Sequence, residues 1–417
     1  MDIWHIRGGN ELNGSCFVQG SKNASLPIIA ASIISPAHTE LRNVPQLRDV
    51  DAALRILRHL GCSAEQRQND VYIDSTTLSS GSIPHSLMEE MRSSVIFMGA
   101  LLARCGYARL SLPGGCQLGK RPIDLHLSAL RQMGAEIDED GTEINCRAEA
   151  LHGAEIFLPF PSVGATENIM LAACAAKGKT RIHGAAREPE ITALQEFLIS
   201  MGANIYGAGG SIITIDGFEK RENAFCRIIP DRIVASTLAC AVAAVGGNVE
   251  MRGVIPEHFS TVLYFLNQSG CDIISRKHSV RVKSSRRLSA PGEISTRPYP
   301  GFPTDAQPVL MAALLKAEGR TLITENIFEN RYRQVPELIR LGADIVVDGK
   351  KAVITGVDSL HGAVLNSTDL RGGAAMIIAG LSAEGETVVF DDGHVNRGYE
   401  RFDMRLRAIG ADIYLEN

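Results

Sequence analysis

Cys116 stands directly behind Gly114 and Gly115 and four residues before Lys120 and Arg121, in the stretch 111-SLPGGCQLGKRPIDLH-126. A thiol serves as an acid or a nucleophile when its pKa approaches the working pH, and neighbouring cations lower it from about 8.5. The two glycines give the backbone freedom, so the stretch predicts a lid loop that closes over a reaction and excludes water. A thiol placed there can protonate a carbon centre or form a covalent adduct. The other eight cysteines, at 16, 62, 105, 146, 174, 226, 240 and 271, form no CxxC pair and no Cys/His cluster with metal spacing. Most lie in apolar runs, as Cys174 in IMLAACAA and Cys240 in STLACAVAAV, and read as small buried hydrophobes of a reducing compartment.

A second set of candidates is charged. Lys22, Arg92, Glu167, Asp231 with Arg232, Asp305, and Asp369 with Arg371 gather at the starts of apolar, alanine-rich segments. Arg48 with Asp49, Lys120 with Arg121, Arg187 with Glu188, Arg331 and Arg397 start a set of amphipathic ones. An arginine at a helix N-terminus opposes the helix dipole, so its recurrence asks for an anion. Free N–H groups at helix starts and bidentate guanidinium contacts both suit phosphate and carboxylate. Any one of these residues, Arg48, Arg92 or Glu167 above all, reads equally well as a cap or a solvated face, and Asp305 behind Thr304 as a plain N-cap. The recurrence is what implies a polyanionic ligand, held between two domains.

The elements that must position these residues repeat. LRHLGCSA, LRQMGAEI, LISMGANI, LNQSGCDI, LIRLGADI and LRAIGADI each end a helix on a glycine, at 61, 134, 202, 270, 342 and 410, spaced by 73, 68, 68, 72 and 68 residues. The glycine occupies the C′ position, where a helix ends in the left-handed conformation. Each copy is accompanied by an apolar helix running through a short turn into a strand, as in NIMLAACAAKGKTRIHG. Helices apolar nearly all round imply burial at a domain centre, with the amphipathic ones outside. Six units of this length exceed a solenoid repeat. They predict an α/β protein of two three-unit domains, one over 22–229 carrying the Cys116 loop and one over 1–21 with 230–417.

The composition narrows the classes. A net charge of −5 offers no general attraction to nucleic acid or an anionic membrane. Hydrophobic residues at 45% and charged residues at 21% are ordinary for a soluble globular chain. The start MDIWHIRGGNELNG has no apolar core of a signal peptide, and no apolar run reaches the ~18 residues of a membrane span, so a cytoplasmic protein is expected. There is no Walker loop and no GxGxxG fingerprint, and His126 and His394 lack partner ligands, so no metal or cofactor is implied.

Over essentially its whole length the chain resembles the enolpyruvyl transferases, and within them the branch that uses UDP-N-acetylglucosamine. The resemblance rests on 20-GSKNASLP-27, 43-NVPQLRDVD-51, the 111–126 stretch, 162-SVGATENIM-170, 185-AAREPEI-191, 229-IPDRI-233, 302-FPTDAQ-307, 325-ENIFENR-331, 368-TDLR-371 and 394-HVNRGYER-401. It implies an inside-out α/β barrel of two domains, each of three units around buried helices, with the active site in the cleft. It implies transfer of the enolpyruvyl group of phosphoenolpyruvate to the sugar 3′-hydroxyl with release of phosphate, the first committed step of peptidoglycan synthesis. Two small-molecule substrates, no cofactor and no protein partner follow. Cys116 matches the loop cysteine that protonates the methylene carbon, can hold a covalent adduct and is the target of fosfomycin. Asp305 matches the base at the sugar hydroxyl, and Asp369 an acid near the reacting centre. Lys22, Arg121, Arg331, Arg371 and Arg397 match the cations around phosphoenolpyruvate. Asn23, Arg92, Arg121, Pro122, Ile123, Asp124, Leu125, Ser162, Val163, Gly164, Asp305 and Ile327 match the nucleotide-sugar site.

Four positions depart from the family pattern: Ser21 replaces an alanine, Val234 an acid, Ser236 a glycine and Asn396 an aspartate. Two further readings stay open. A divergent or non-catalytic nucleotide-sugar binder is kept alive by Val234, although Cys116, Asp305 and Arg397 speak against it. The branch that uses shikimate 3-phosphate shares donor and fold but lacks the GGC loop.

Overall fold

The glycine at the end of each amphipathic segment has the backbone its position predicts. Gly61, Gly134, Gly202, Gly270, Gly342 and Gly410 have φ of 97°, 93°, 96°, 103°, 95° and 106°. A Cβ in that region meets the following carbonyl, which is why glycine recurs there. In the computed structural model, which describes residues 1–91, 93–111, 123–139, 141–218, 222–284 and 287–416, each glycine turns a helix into an antiparallel hairpin. The six helices so ended are Arg48–His59, Asp124–Gln132, Pro189–Ser200, Ser260–Gln268, Val335–Arg340 and Phe402–Arg407.

Those hairpins belong to six four-stranded sheets of one design, an edge strand parallel to its neighbour and the other pairs antiparallel. The chain closes the set on itself. Asp2–Arg7 pairs with both Glu386–Asp391 and Asp412–Glu416, so the N-terminus supplies the third strand of the last sheet. Leu12–Phe17 lies parallel to Gly247–Arg252, and Ala224–Arg227 parallel to His38–Arg42. Of the described residues, 1–19 and 230–416 make one compact unit, and 20–111 with 123–229 make the other. Each unit holds three sheets.

Inside each unit are three helices buried on every face, the helices inside and the sheets outside of an inside-out α/β barrel. They are Lys22–Ala31, Phe97–Cys105 and Val163–Ala173 in one unit, and Arg232–Val245, Gln307–Ala313 and Leu370–Ser382 in the other. Most of their residues are alanine, valine, isoleucine, leucine, methionine and glycine, which allow close packing. Gln307–Ala313 packs on both of its companions, and these pack on each other. The closest approach needs glycine: a Cβ on Gly99 would lie 2.3 Å from the backbone oxygen of Asn168. Among the described residues no helix is long and apolar enough to cross a membrane.

Gly270 separates backbone strain from crowding, because a Cβ there meets nothing within 4 Å. Gly270→Ala is expected to cost about 1–2 kcal/mol. Gly270→Asn should cost less, since asparagine tolerates the left-handed region. Urea midpoints of the two variants test this, and equal losses would contradict it.

Candidate active site

In the unit that contains both chain ends, the turn ahead of the Gln307–Ala313 helix carries Asp305. It is part of the 3-10 turn Thr304–Ala306 and caps nothing, so the plain N-cap reading does not hold. Its carboxylate instead accepts from two guanidiniums. Arg331 Nη2 donates to Oδ1 at 2.6 Å and Arg371 Nη2 to Oδ2 at 3.5 Å. Arg331 is held by donating Nε and Nη2 to the Thr304 carbonyl at 3.0 and 2.9 Å, and it lies over the Phe328 ring at 5.5 Å. Arg371 lies over Tyr399 at 5.5 Å. Its Nη1 is buried with no hydrogen-bond partner among the described residues. A buried guanidinium N–H without an acceptor is costly unless a ligand completes it.

The two arginines are 1% and 4% exposed, whereas Asp305 keeps 30% of its side chain accessible. Burial pushes the Asp305 carboxyl up, but Arg371, Arg331 and Arg232 outweigh it and hold the group well below the usual carboxylate range. Asp305 is therefore ionised and reachable. Asp231 and Asp369, by contrast, are true caps. Asp231 Oδ1 accepts from Ile233 and Val234 N–H at 2.8 and 3.0 Å, and Asp369 Oδ1 from Arg371 and Gly372 N–H at 3.0 and 3.1 Å. Ile327 donates its N–H to Glu325 Oε1 at 2.8 Å, while Glu325 Oε2 accepts from Thr304 Oγ1 at 3.1 Å. Glu325 thus ties the turn of Ile327 to the turn of Asp305. It was legible only as part of ENIFENR, without a role.

Two expectations about position are corrected. Arg331 lies four residues ahead of Val335, where its helix begins, and Arg397 lies in a 3-10 turn, Val395–Arg397, ahead of Phe402–Arg407. The argument that a cation opposes the helix dipole holds instead for Lys22, Arg48, Arg232 and Arg371, in the first turns of their helices.

In the other unit the structure brings the starts of two helices together. Ser162 caps Val163–Ala173 by accepting from Ala165 N–H at 3.3 Å, which leaves the first amides, those of Val163 and Gly164, free of helical partners. Ile123 precedes Asp124–Gln132, which packs on that helix. The join is His126, buried against Asn168, with Nδ1 2.8 Å from Asn168 Nδ2. Lys22 opens a separate helix, with Nζ 3.1 Å from Asp49 Oδ2, and Asn23 follows it half-buried. Glu167 is buried in Val163–Ala173, and burial, then Glu190 and Glu188, raises its pKa well above the usual value. Cys116, Arg92, Arg121, Lys120 and Pro122 lie outside the described residues. The other eight cysteines are free. Burial pushes Cys16 and Cys62 up to about 11 and Cys146 and Cys174 up to about 12, so these thiols are inert packing.

Residues 6–406 match the family described as EPSP synthase (3-phosphoshikimate 1-carboxyvinyltransferase). A protein of Caldanaerobacter subterraneus subsp. tengcongensis named UDP-N-acetylglucosamine 1-carboxyvinyltransferase 2 is 46% identical over 413 residues, 99% of either chain. One of Halothermothrix orenii named UDP-N-acetylglucosamine 1-carboxyvinyltransferase is 47% identical over the same length and share. Among solved structures, the enolpyruvyl transferase NikO from Streptomyces tendae superposes with a TM-score of 0.89 at 25% identity, covering 99% of this chain and 98% of that one. EPSP synthase from Acinetobacter baumannii shares the fold, with a TM-score of 0.77 at 22% identity over 100% of both chains.

Burial lowers the His126 pKa from 6.5 to about 4, with Asp124 pulling the other way. The native state thus prefers the neutral ring. That preference is fully present above pH 6.5 and is lost as pH falls toward 4, where the unfolded chain gains a proton the fold refuses. Stability should drop by roughly 3 kcal/mol across that window from this group. Urea midpoints at pH 7 and pH 4.5 should fall less in His126→Asn than in the unsubstituted protein, and parallel curves would refute the assignment.

Proposed function

The chain belongs to the EPSP synthase family of enolpyruvyl transferases, and from that premise we propose that it transfers the enolpyruvyl group of phosphoenolpyruvate to the 3′-hydroxyl of UDP-N-acetylglucosamine, releasing phosphate. The observation that carries the choice of acceptor is near-full-length identity of 44–47% to proteins named for that reaction. The family description names the shikimate acceptor, but the likeness to EPSP synthase structures, at 22% identity, reaches only the fold.

The chemistry is addition followed by elimination. The sugar oxygen bonds to C2 of phosphoenolpyruvate as C3 gains a proton and the hydroxyl loses one. The tetrahedral intermediate then loses a C3 proton and its phosphate, restoring the double bond. In this reading Cys116 delivers the proton to C3, and Asp305 takes the hydroxyl proton. Lys22, Arg121, Arg331, Arg371 and Arg397 hold the phosphate and carboxylate, and Asp369 stands near the reacting centre. Asn23, Arg92, the residues 121–125, Ser162, Val163, Gly164 and Ile327 take the nucleotide sugar.

The Asp305 cluster supports this division of labour. Two arginines share one carboxylate, so the group carries an excess positive charge, and Arg371 Nη1 has no acceptor among the described residues. An anion drawn onto Arg331 and Arg371 weakens their hold on Asp305 and makes it a better base. The donor thereby prepares the base for the acceptor.

The product is the one that the first committed step of peptidoglycan synthesis makes. The reading therefore places the protein in the cytoplasm, in cell-wall biogenesis and, through it, in cell shape and division. It also makes the protein a fosfomycin target through Cys116.

Phosphate release from phosphoenolpyruvate should require UDP-N-acetylglucosamine, be absent with shikimate 3-phosphate and stop after fosfomycin treatment. Cys116→Ser should abolish turnover. Asp305→Ala should lower kcat by about 10²–10⁴-fold, the usual contribution of a positioned base. Release with neither acceptor, from protein that still binds the nucleotide sugar, would instead indicate a non-catalytic paralogue.

A further inference from the structure

Arg331 and Arg371 share Asp305, but they are held in different ways. Arg331 donates twice to the Thr304 carbonyl, at 3.0 and 2.9 Å, and once to Asp305 at 2.6 Å. Arg371 has no comparable hold. Its bond to Asp305 is 3.5 Å long, and its Nη1 has no acceptor among the described residues. A guanidinium only 4% exposed and so loosely bonded needs another cause for its orientation. The group beside it is the ring of Tyr399, whose centroid lies 5.5 Å from the guanidinium carbon.

Tyr399 is buried, and both its backbone and its side chain are tied down. The Gln19 amide grips the peptide groups on either side of it. Nε2 donates to the Gly398 carbonyl at 3.1 Å, and Oε1 accepts from Glu400 N–H at 2.8 Å. The phenol oxygen lies 2.9 Å from Thr237 Oγ1. The Thr237 proton already goes to the Ile233 carbonyl at 2.8 Å, so the phenol is the donor of that pair. Phe402 packs on the ring, with centroids 4.7 Å apart. Gln19 is itself buried, and its carbonyl accepts from Asp231 N–H, at the cap of the Arg232–Val245 helix that carries Thr237. Both holds on Tyr399 thus lead to one inner helix, which packs on the inner helix that carries Arg371. We propose that Tyr399 is a positioning residue: its clamped ring orients the Arg371 guanidinium beside Asp305 and keeps one N–H open for the donor anion. This rests on the functional reading above. A ring face suits the task because it attracts the cation without occupying any of its N–H groups. A carbonyl in its place would consume a donor that the anion needs.

Substitutions at Tyr399 and Gln19 separate the platform from the packing. Tyr399→Leu removes the ring and should raise the KM for phosphoenolpyruvate by roughly 10–30-fold, the range for a desolvated cation–π contact. The KM for UDP-N-acetylglucosamine should stay within about threefold. Tyr399→Phe keeps the ring and should recover most of the loss. Gln19→Met frees the backbone of Tyr399 but leaves the ring and both arginines in place. It should raise the same KM by about 3–10-fold, and it serves if Tyr399→Leu does not fold. Steady-state phosphate release by the full-length protein, with each substrate varied in turn, reads the result. If the unsubstituted protein turns over and both Tyr399→Leu and Gln19→Met keep its KM for phosphoenolpyruvate, this inference fails and the functional reading stands. Equal losses in Tyr399→Phe and Tyr399→Leu would move the role to the hydroxyl and refute the ring. A KM that rises for both substrates together, with a lowered urea midpoint, would reduce Tyr399 to packing. An unsubstituted protein that releases no phosphate from phosphoenolpyruvate with the nucleotide sugar overturns both.

Discussion

A helix buried around its whole circumference can present polar groups to a ligand only at its ends, and six such helices lie among the described residues. Along their lengths they are mostly alanine, valine, isoleucine, leucine, methionine and glycine, and their packing sets where the ends fall. The Asp305–Arg371 contact follows directly. Asp305 is in the turn before Gln307–Ala313, Arg371 is in the first turn of Leu370–Ser382, and the two helices pack on each other. The core is apolar along its shafts and strongly charged at its rim. Moving any inner helix by a residue would separate the charges as surely as mutating them. The glycines of the first turn belong to the same constraint: a Cβ on Gly372 would lie 2.6 Å from Thr368 Oγ1 and 2.8 Å from Asp369 Oδ2, inside the cap that starts the helix.

The charges at that rim are not arranged for stability. Two guanidiniums that are almost fully buried share one carboxylate that is a third exposed, which leaves a positive excess where desolvation is expensive. A protein selected only for stability would neutralise or remove one arginine. Keeping both, with one N–H orphaned, makes sense if an anion completes the set.

How far this could be read from the sequence depends on the range of the interaction. The repeat was legible because a helix end needs a positive φ, and glycine at 61, 134, 202, 270, 342 and 410 marks it locally. The inner and outer helices were legible because burial on all sides needs apolarity on all sides. Asp305 was ambiguous because a carboxylate behind a threonine at a helix start looks the same whether it caps amides or binds arginines 26 and 66 residues away. Arg331 was misplaced because turn residues 329–334 carry no periodicity to count back from. His126 was visible inside its motif, but the Asn168 it is buried against lies 42 positions away, and nothing local connects them.

The departures from the family pattern fall on the structural side of this division. Ser21 accepts from Ala24 N–H at 3.2 Å and caps its helix, which alanine could not do. Ser236 donates to the Arg232 carbonyl at 2.7 Å, a bond that stays within its own helix. Val234 is fully buried in the hydrophobic core, where an acid would need a partner. Asn396 donates to Asp2 Oδ2 at 2.7 Å, linking the turn that carries Arg397 to the N-terminal strand. An aspartate at that position would set a second carboxylate against Asp2, so the amide is matched to the strand it holds. Each change is absorbed by a hydrogen bond or a packing contact of its own. None alters the arginines around Asp305 or the contact of His126 with Asn168. A reading of this chain as a divergent binder would therefore need a cause other than these four residues.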